Sequence, residues 1–211
     1  MTPNNSDYLN AINAVQNPGN PNAIPTGYTL LYSSTSDGNY ASSGLDGTAY
    51  VNQTTGQIII AYSGPNTVGA LLGLPGSVLE NAAAAVDKRI GSNDSQVASD
   101  LVVQTNSFTA AVQNAAETAG YTFTNGNVFV TGWSEGGLLA QLTARENGFA
   151  GTSYGAPPIP GTDSNSAPDN SGFINYYYSK EPVGRRSNLH RSQVRGRPRT
   201  GTPACHRILR A

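Results

Sequence analysis

Two kinds of apolar pattern divide the chain into strands and helices. Short runs rich in β-branched and aromatic residues predict strands over 27–33, 48–52, 57–62, 128–130, 151–158 and 173–178. Apolar residues at helical spacing predict a short helix capped by Ser6, a helix over 79–89, a long helix over 95–119, and a helix after Ser134. The apolar face of the first helix consists of Leu9, Ile12 and Val15, and that of the long helix of Val97, Leu101, Phe108, Val112 and Ala115.

The order of these elements predicts the fold class. Residues 48–52 and 57–62 form a predicted β-hairpin, and the second strand is apolar without alternation, which is typical of a strand covered on both faces. Strands and helices then alternate, which indicates a parallel sheet with crossover helices. At 211 residues the chain fits an α/β domain with a mainly parallel sheet and helices on both faces.

The strongest chemical signal lies between Asn127 and Arg145. This stretch combines a buried strand, a sharp turn with Ser134 at its apex, and an apolar helix. A G-x-S-x-G nucleophile elbow needs this context, and Gly132 and Gly136 allow the tight turn. The following helix directs its first N–H groups at the place where an oxyanion would form. We therefore predict that Ser134 is a nucleophile, rather than an incidental serine in a Gly-rich turn.

The same letter pattern recurs at Gly151–Gly155, with Ser153 at its centre. Pro157 follows closely, and proline disfavours helical backbone at the residue before it. Because the helix of an elbow cannot begin there, we predict a structural role for Ser153.

Five segments together resemble the class 3 (fungal-type) lipase family of the α/β-hydrolases. In chain order they are I-I-I-A-Y-S-G, the helix with V-A-S-D-L, V-T-G-W-S-E-G-G-L-L-A-Q-L, T-S-Y-G-A-P-P and I-N-Y-Y-Y-S-K-E-P-V-G. The resemblance covers about 48–184. It implies an α/β-hydrolase fold and acyl transfer from a small-molecule or lipid ester to water, through an acyl-enzyme on Ser134. We expect no cofactor and no metal ion.

The resemblance also implies roles for residues around the nucleophile. Glu181, just after the strand 173–178, matches the position of the triad acid, for which Asp163 and Asp169 are rivals in a predicted loop. One oxyanion donor would be the backbone N–H of Glu135, directly after the nucleophile. The second donor of the family follows the strand 57–62, where this chain has Ser-Gly-Pro; proline has no N–H, so Asn66 is the candidate.

The triad histidine would be His206, with His190 as its rival, because the chain has only these two. Both lie in an unusual segment: 185–211 holds eight arginines and no acid, whereas all 13 acidic residues and four basic ones lie in 1–184. Without helix or strand periodicity, such a segment is usually disordered. We interpret 1–184 as the lipase-like domain and 185–211 as a disordered, arginine-rich tail produced by a shifted reading frame, which would leave the domain truncated and without its family histidine.

Composition limits the compartment and the partners. Cys205 is the single cysteine, so no intrachain disulfide forms, and the N-terminus lacks the regions of a signal peptide. An Asn-, Gly-, Ser- and Thr-rich composition is typical of an exported protein, so we expect export by another signal. A basic tail can bind nucleic acid or an anionic membrane. We expect no nucleic-acid partner, because the acidic body opposes broad phosphate contact and no recognition motif accompanies the tail.

Several functions stay open at this point. The first is a serine carboxylic-ester hydrolase of the lipase or esterase type, impaired if its histidine is lost. The second is a phospholipase on the same scaffold, since fold and triad do not select the substrate. The third is an inactive remnant or binding module that keeps the fold. The apolar segment 67–79 is either a packed loop or a lid, and a lid would favour a lipidic acyl chain and transient contact with a lipid surface.

Overall fold

A computed structural model describes residues 2–36, 45–63, 95–156, 172–178 and 205–210, and of 21, 95–101, 177–178 and 205–210 the backbone alone. The helices are α1 (Asn5–Gln16), α2 (Ser95–Thr118) and α3 (Glu135–Asn147). The strands are β1 (Tyr28–Ser33), β2 (Gly47–Asn52), β3 (Ile58–Tyr62), β4 (Val128–Trp133), β5 (Ala150–Tyr154), β6 (Phe173–Tyr178) and β7 (Cys205–Arg210). The predicted helix over 79–89 and the segment 67–79 lie outside the described residues.

The strands form one mixed sheet in the order of the chain, from β1 to β7. The centre is parallel, from β3 through β4 and β5 to β6, whereas β1, β2 and β3 pair antiparallel on one side and β7 pairs antiparallel with β6 on the other. The predicted α/β class and the predicted hairpin of β2 and β3 are confirmed. All five residues of β3 are buried, as the unbroken apolar run predicted.

Helices cover both faces of the sheet. One apolar core joins the sheet to α2 and α3 through Phe108, Val112, Leu139 and Ala140, among others. The second core joins the opposite face to α1. From β3 to β5 each strand lies beside the one before it, always toward the same edge of the sheet. Right-handed crossover connections between these parallel strands therefore place α2 and α3 on the same face.

The first helix has its N-cap two residues before the predicted one. Asn4, not Ser6, is the N-cap: its side chain accepts the N–H groups of Ser6 and Asp7 at 2.8 and 3.1 Å. The Asp7 carboxylate accepts the N–H of Asn4 at 2.9 Å, which completes a capping box. Leu9 was wrongly assigned to the buried face and is 44% exposed, whereas Ile12 and Val15 are buried as predicted.

The long helix α2 matches its predicted span, and Phe108 and Val112 of its predicted face are buried. Ala115 is half-buried, and the side chains of Val97 and Leu101 are not described. The Phe108 ring lies 5.7 Å from the rings of Tyr32 and Tyr62, centroid to centroid. This contact fixes α2 over the β1–β3 side of the sheet.

Strand β7 differs from the prediction of a disordered tail over 185–211. Residues Cys205–Arg210 pair with β6, and His206 lies opposite Tyr177. Edge pairing uses backbone N–H and C=O groups, so it does not need the side-chain alternation whose absence suggested disorder. The rest of the tail, with the boundary predicted at residue 184, lies outside the described residues.

Two buried threonines give a matched test of hydrogen bonding in the core. The Thr131 hydroxyl on β4 has no partner among the described residues, whereas the Thr143 hydroxyl donates to the Leu139 carbonyl at 2.9 Å and lies 2.8 Å from the Tyr62 hydroxyl. A buried hydroxyl without a hydrogen bond is destabilising. We expect Thr131→Val to raise the free energy of unfolding by about 1 kcal/mol, and Thr143→Val to lower it by about 1–3 kcal/mol, measured by urea denaturation. A loss of stability in Thr131→Val would show that its hydroxyl has a bound partner.

Buried tyrosines beside α1 predict alkaline unfolding. Burial, followed by the charges of Tyr28, Tyr154 and Asp7, raises the pKa of Tyr8 well above its ordinary value. Burial is also the main cause that raises the pKa of Tyr50 to about 12. The neutral forms are therefore favoured in the folded state.

Since these pKa values are raised on folding, their stabilisation is complete below pH 10, the ordinary tyrosine value, and is lost as the pH rises toward 12. We expect the free energy of unfolding to fall over this window by at most about 1.4 kcal/mol per pH unit for each tyrosine. Tyr50→Phe should make the fall shallower, as measured by urea denaturation across the window. A fall as steep in Tyr50→Phe as in the unchanged protein would contradict this account.

Candidate active site

The turn between β4 and α3 holds Ser134 in an unusual backbone conformation. Its φ is 54° and its ψ is −122°, and among the described residues it is the one non-glycine residue with a positive φ. Such backbone conformations cost about 1–3 kcal/mol and persist where the surrounding structure imposes them. The strand, turn and helix predicted from the sequence are confirmed, and the turn is strained at the serine itself.

Close packing around two glycines imposes this turn. A Cβ on Gly132 would overlap the carbonyl oxygen of Gly136, and a Cβ on Gly136 would overlap the Tyr62 carbonyl and lie 2.6 Å from the Ser63 oxygen. The first turn of α3 therefore sits directly against the ends of β3 and β4. Glycine is needed at both positions because there is no room for a side chain, which agrees with their predicted role in the elbow.

Backbone hydrogen bonds hold Ser134 at the carboxyl edge of the parallel strands. Its N–H donates to the Tyr154 carbonyl at 2.9 Å, and its carbonyl accepts the N–H of Leu138 at 3.1 Å. Its side chain forms no capping hydrogen bond to α3. The half-buried hydroxyl is thus not used to cap the helix, although serine is a favoured capping residue.

The predicted oxyanion donor Glu135 is the first residue of α3 and is half-buried. The first N–H groups of a helix point out of its N-terminus, where the helix dipole favours negative charge. The Glu135 N–H thus belongs to the first turn of α3, and its role as oxyanion donor stays a prediction. Asn66, the predicted second donor, lies outside the described residues.

The described residues do not bring the rest of the predicted triad to Ser134. Glu181 and His190 lie outside them. His206 lies on β7, three strands from β4, and this corresponds to a backbone separation of about 14 Å. A serine and a histidine side chain joined by one hydrogen bond do not span that distance. The role of His206 as triad base stays a prediction that this strand register does not support.

Ser153 is fully buried inside β5. Its hydroxyl donates to Oδ1 of Asn175 on β6 at 2.9 Å, and the Asn175 amide donates to the Ala156 carbonyl at 3.1 Å. These bonds tie two parallel strands and the end of β5 together. Ser153 therefore has the structural role that was predicted for it.

Asp46 is an acidic group at this edge that the sequence analysis missed. It precedes β2, and its carbonyl accepts the N–H of Ser63, the residue after β3, at 2.9 Å. Burial raises the pKa of its carboxyl group. The antiparallel hairpin brings the start of β2 to the end of β3. The predicted hairpin could therefore have placed Asp46 at this edge from the sequence alone.

A row of aromatic side chains at the same edge was also missed. Trp133, Tyr154 and Tyr176 occupy matching positions at the ends of β4, β5 and β6. In the sequence one aromatic residue ends β4 and one ends β5, whereas three tyrosines end β6, and only the register shows which of the three aligns with Tyr154. Trp133 directly precedes Ser134, and Tyr154 accepts the Ser134 N–H through its carbonyl.

Within the described ranges, no group of three or more His, Cys, Asp or Glu residues could hold a metal ion. None of the helices described has both the length and the apolar character that a bilayer crossing needs. No protein-family model and no curated protein matches the chain. The structural class is mixed α/β, and the site is defined by the geometry of its own residues.

The strain at Ser134 gives a stability test. Glycine adopts positive φ without a Cβ clash, so we expect Ser134→Gly to raise the free energy of unfolding by about 1 kcal/mol, after the entropy that glycine adds to the unfolded chain. Ser134→Ala keeps the Cβ and should leave stability nearly unchanged. Ser153→Gly, in an extended strand, should lower it by about 2 kcal/mol because it loses the Asn175 bond. Urea denaturation measures all three, and a destabilised Ser134→Gly would refute the assigned strain.

Proposed function

We propose that this protein is a serine carboxylic-ester hydrolase of the lipase or esterase type, with Ser134 as its nucleophile. The observation that carries the proposal is the backbone of Ser134, φ 54° and ψ −122°, at a strand–turn–helix junction. A strained serine between a buried strand and a helix N-terminus is the arrangement of a nucleophile elbow. The resemblance of 48–184 to class 3 lipases supports the same reaction.

The proposed chemistry begins with attack of the Ser134 hydroxyl on an ester carbonyl. The carbonyl oxygen gains negative charge as the tetrahedral intermediate forms, and the N-terminus of α3 stabilises that charge. The Glu135 N–H is the proposed donor at this position. Collapse of the intermediate releases the alcohol and leaves an acyl-enzyme, which water then hydrolyses.

The hydroxyl of Ser134 needs a base to accept its proton. We propose Glu181 as the acid of the triad, because in the sequence it closely follows the carboxyl end of β6. His190 is the better candidate for the base, since the position of β7 holds His206 about three strand spacings, roughly 14 Å, from β4.

A second candidate is an inactive protein that keeps the fold and binds ligands without turnover. The observation that favours it is the distance between β7 and Ser134, because the chain has only two histidines. A serine without its histidine loses several orders of magnitude in rate. The elbow geometry would then persist as a structural remnant.

Covalent labelling separates the two candidates. We expect a fluorophosphonate probe to label the folded protein at Ser134, as shown by mass spectrometry of the modified peptide, because an elbow with its base gives a reactive hydroxyl. Ser134→Ala should abolish labelling. Ser153→Ala is the matched control, since it removes the buried serine of the second G-x-S-x-G pattern, and it should leave labelling unchanged.

Folded protein that takes up no label would exclude the hydrolase and support the inactive candidate. If labelling occurs, His190→Ala should reduce its rate by more than about a thousandfold, and His206→Ala should not. The reverse result would show that the tail reaches Ser134 by another path than β7. Nitrophenyl esters of short and long acids, tested beside a phospholipid, then assign the substrate class.

A further inference from the structure

The aromatic row beside the nucleophile is a stacked ladder. The rings of Trp133 and Tyr154 are 6.3 Å apart, centroid to centroid, and inclined by 13°. The rings of Tyr154 and Tyr176 are 5.6 Å apart and inclined by 18°. Aromatic rings at these separations attract each other in an offset-stacked arrangement. Three neighbouring strands thus present parallel rings at the carboxyl edge of the sheet.

Trp133 ends the ladder and is its accessible member. It is 39% exposed, whereas Tyr154 and Tyr176 are half-buried and Tyr154 packs against the core beneath α1. The register pairs Tyr62 with Gly132, so the next position beside Trp133 is Ser63, which carries no ring. Within the described part of the chain, Trp133 stacks on Tyr154 alone. Part of this large side chain therefore remains exposed at the end of a buried strand, where a further ring can contact it.

The position of Trp133 relative to the nucleophile is fixed. The two residues are adjacent, and the Ser134 N–H donates to the carbonyl of Tyr154, the ring on which Trp133 stacks. The glycine contacts that force the turn allow little movement of this backbone. A group that stacks on Trp133 is thus held next to the turn that carries Ser134, and substrate positioning requires such a fixed support.

We propose that the face of Trp133 opposite Tyr154 is a subsite for a planar aromatic ring of the ester that Ser134 attacks. The inference rests on the proposed function and adds the substrate class: aryl esters, with the ring in the acid or in the alcohol. A flat ring extends the ladder by one more stacked member and gains the attraction between rings in addition to burial. An alkyl chain gains burial alone.

A binding experiment tests the subsite without turnover. Trp133 is the only tryptophan, so its fluorescence, excited at the red edge where tyrosine does not absorb, reports on this position alone. In Ser134→Ala, which cannot form an acyl-enzyme, methyl benzoate should change the emission saturably. Methyl cyclohexanecarboxylate, similar in size but not planar, should bind at least about threefold more weakly.

Kinetics test the same subsite in the active protein. We expect kcat/KM for methyl benzoate to exceed that for methyl cyclohexanecarboxylate, and Trp133→Leu to lower this ratio about threefold to tenfold. Trp133→Phe should retain most of it, because a ring remains. Leu30→Ser, at an exposed position of the edge strand β1, is the control that should leave the ratio unchanged. Phenyl acetate against cyclohexyl acetate shows whether the ring belongs to the alcohol.

The outcomes separate this inference from the proposed function. Equal rates for planar and non-planar esters, with Ser134 labelled by a fluorophosphonate, would overturn the subsite and leave the hydrolase intact. A fluorescence response to methyl benzoate without any labelling would show that Trp133 binds a planar ring, and it would overturn both the hydrolase and the role of this face as a substrate subsite. A ratio that stays the same in Trp133→Leu, with the variant folded by circular dichroism, would also overturn the subsite.

Discussion

The close approach of α3 to the ends of β3 and β4 is the constraint on which the site depends. Gly132 and Gly136 have backbone atoms where any side chain would collide, so the chain must turn within one residue. That residue is Ser134, and its positive φ is the consequence. Strain of this kind persists because the buried strand β4 and the buried face of α3 over-determine the turn. The stability of the core and the strained position of Ser134 at the turn are therefore two results of the same packing.

The parallel centre of the sheet explains why chemistry concentrates at one edge. The carboxyl ends of β3, β4, β5 and β6 all point the same way, so the residues that follow them are neighbours in space. The hairpin adds the start of β2 to that edge and brings Asp46 there. Ser134 and the aromatic ladder share this edge for the same topological reason.

Sequence patterns predicted most of this architecture because they report burial. The unbroken apolar run of β3, the stripe of α2 and the elbow glycines each have a local cause that is visible in the letters. The aromatic ladder was not predictable in that way, because Trp133 and Tyr154 meet only when the register of β4 and β5 is known. The cap at Asn4 was missed for a related reason, since Asn4 and Ser6 are both good capping residues and only the reciprocal bond with Asp7 selects between them.

Strand β7 shows how an arginine-rich segment can form part of the sheet. An edge strand is held by backbone hydrogen bonds, so arginine-rich sequence can occupy the open edge of β6 without the apolar pattern of a core strand. The register sets Arg207 opposite Tyr176 and Arg210 opposite Ile174, with an irregularity between them. Charged residues are typical of edge strands, where they prevent a further strand from pairing with the sheet. Strand β7 is the last strand of the sheet, and its position keeps His206 away from Ser134. Pairing of this segment with β6 and catalysis by its histidine are therefore alternatives that exclude each other.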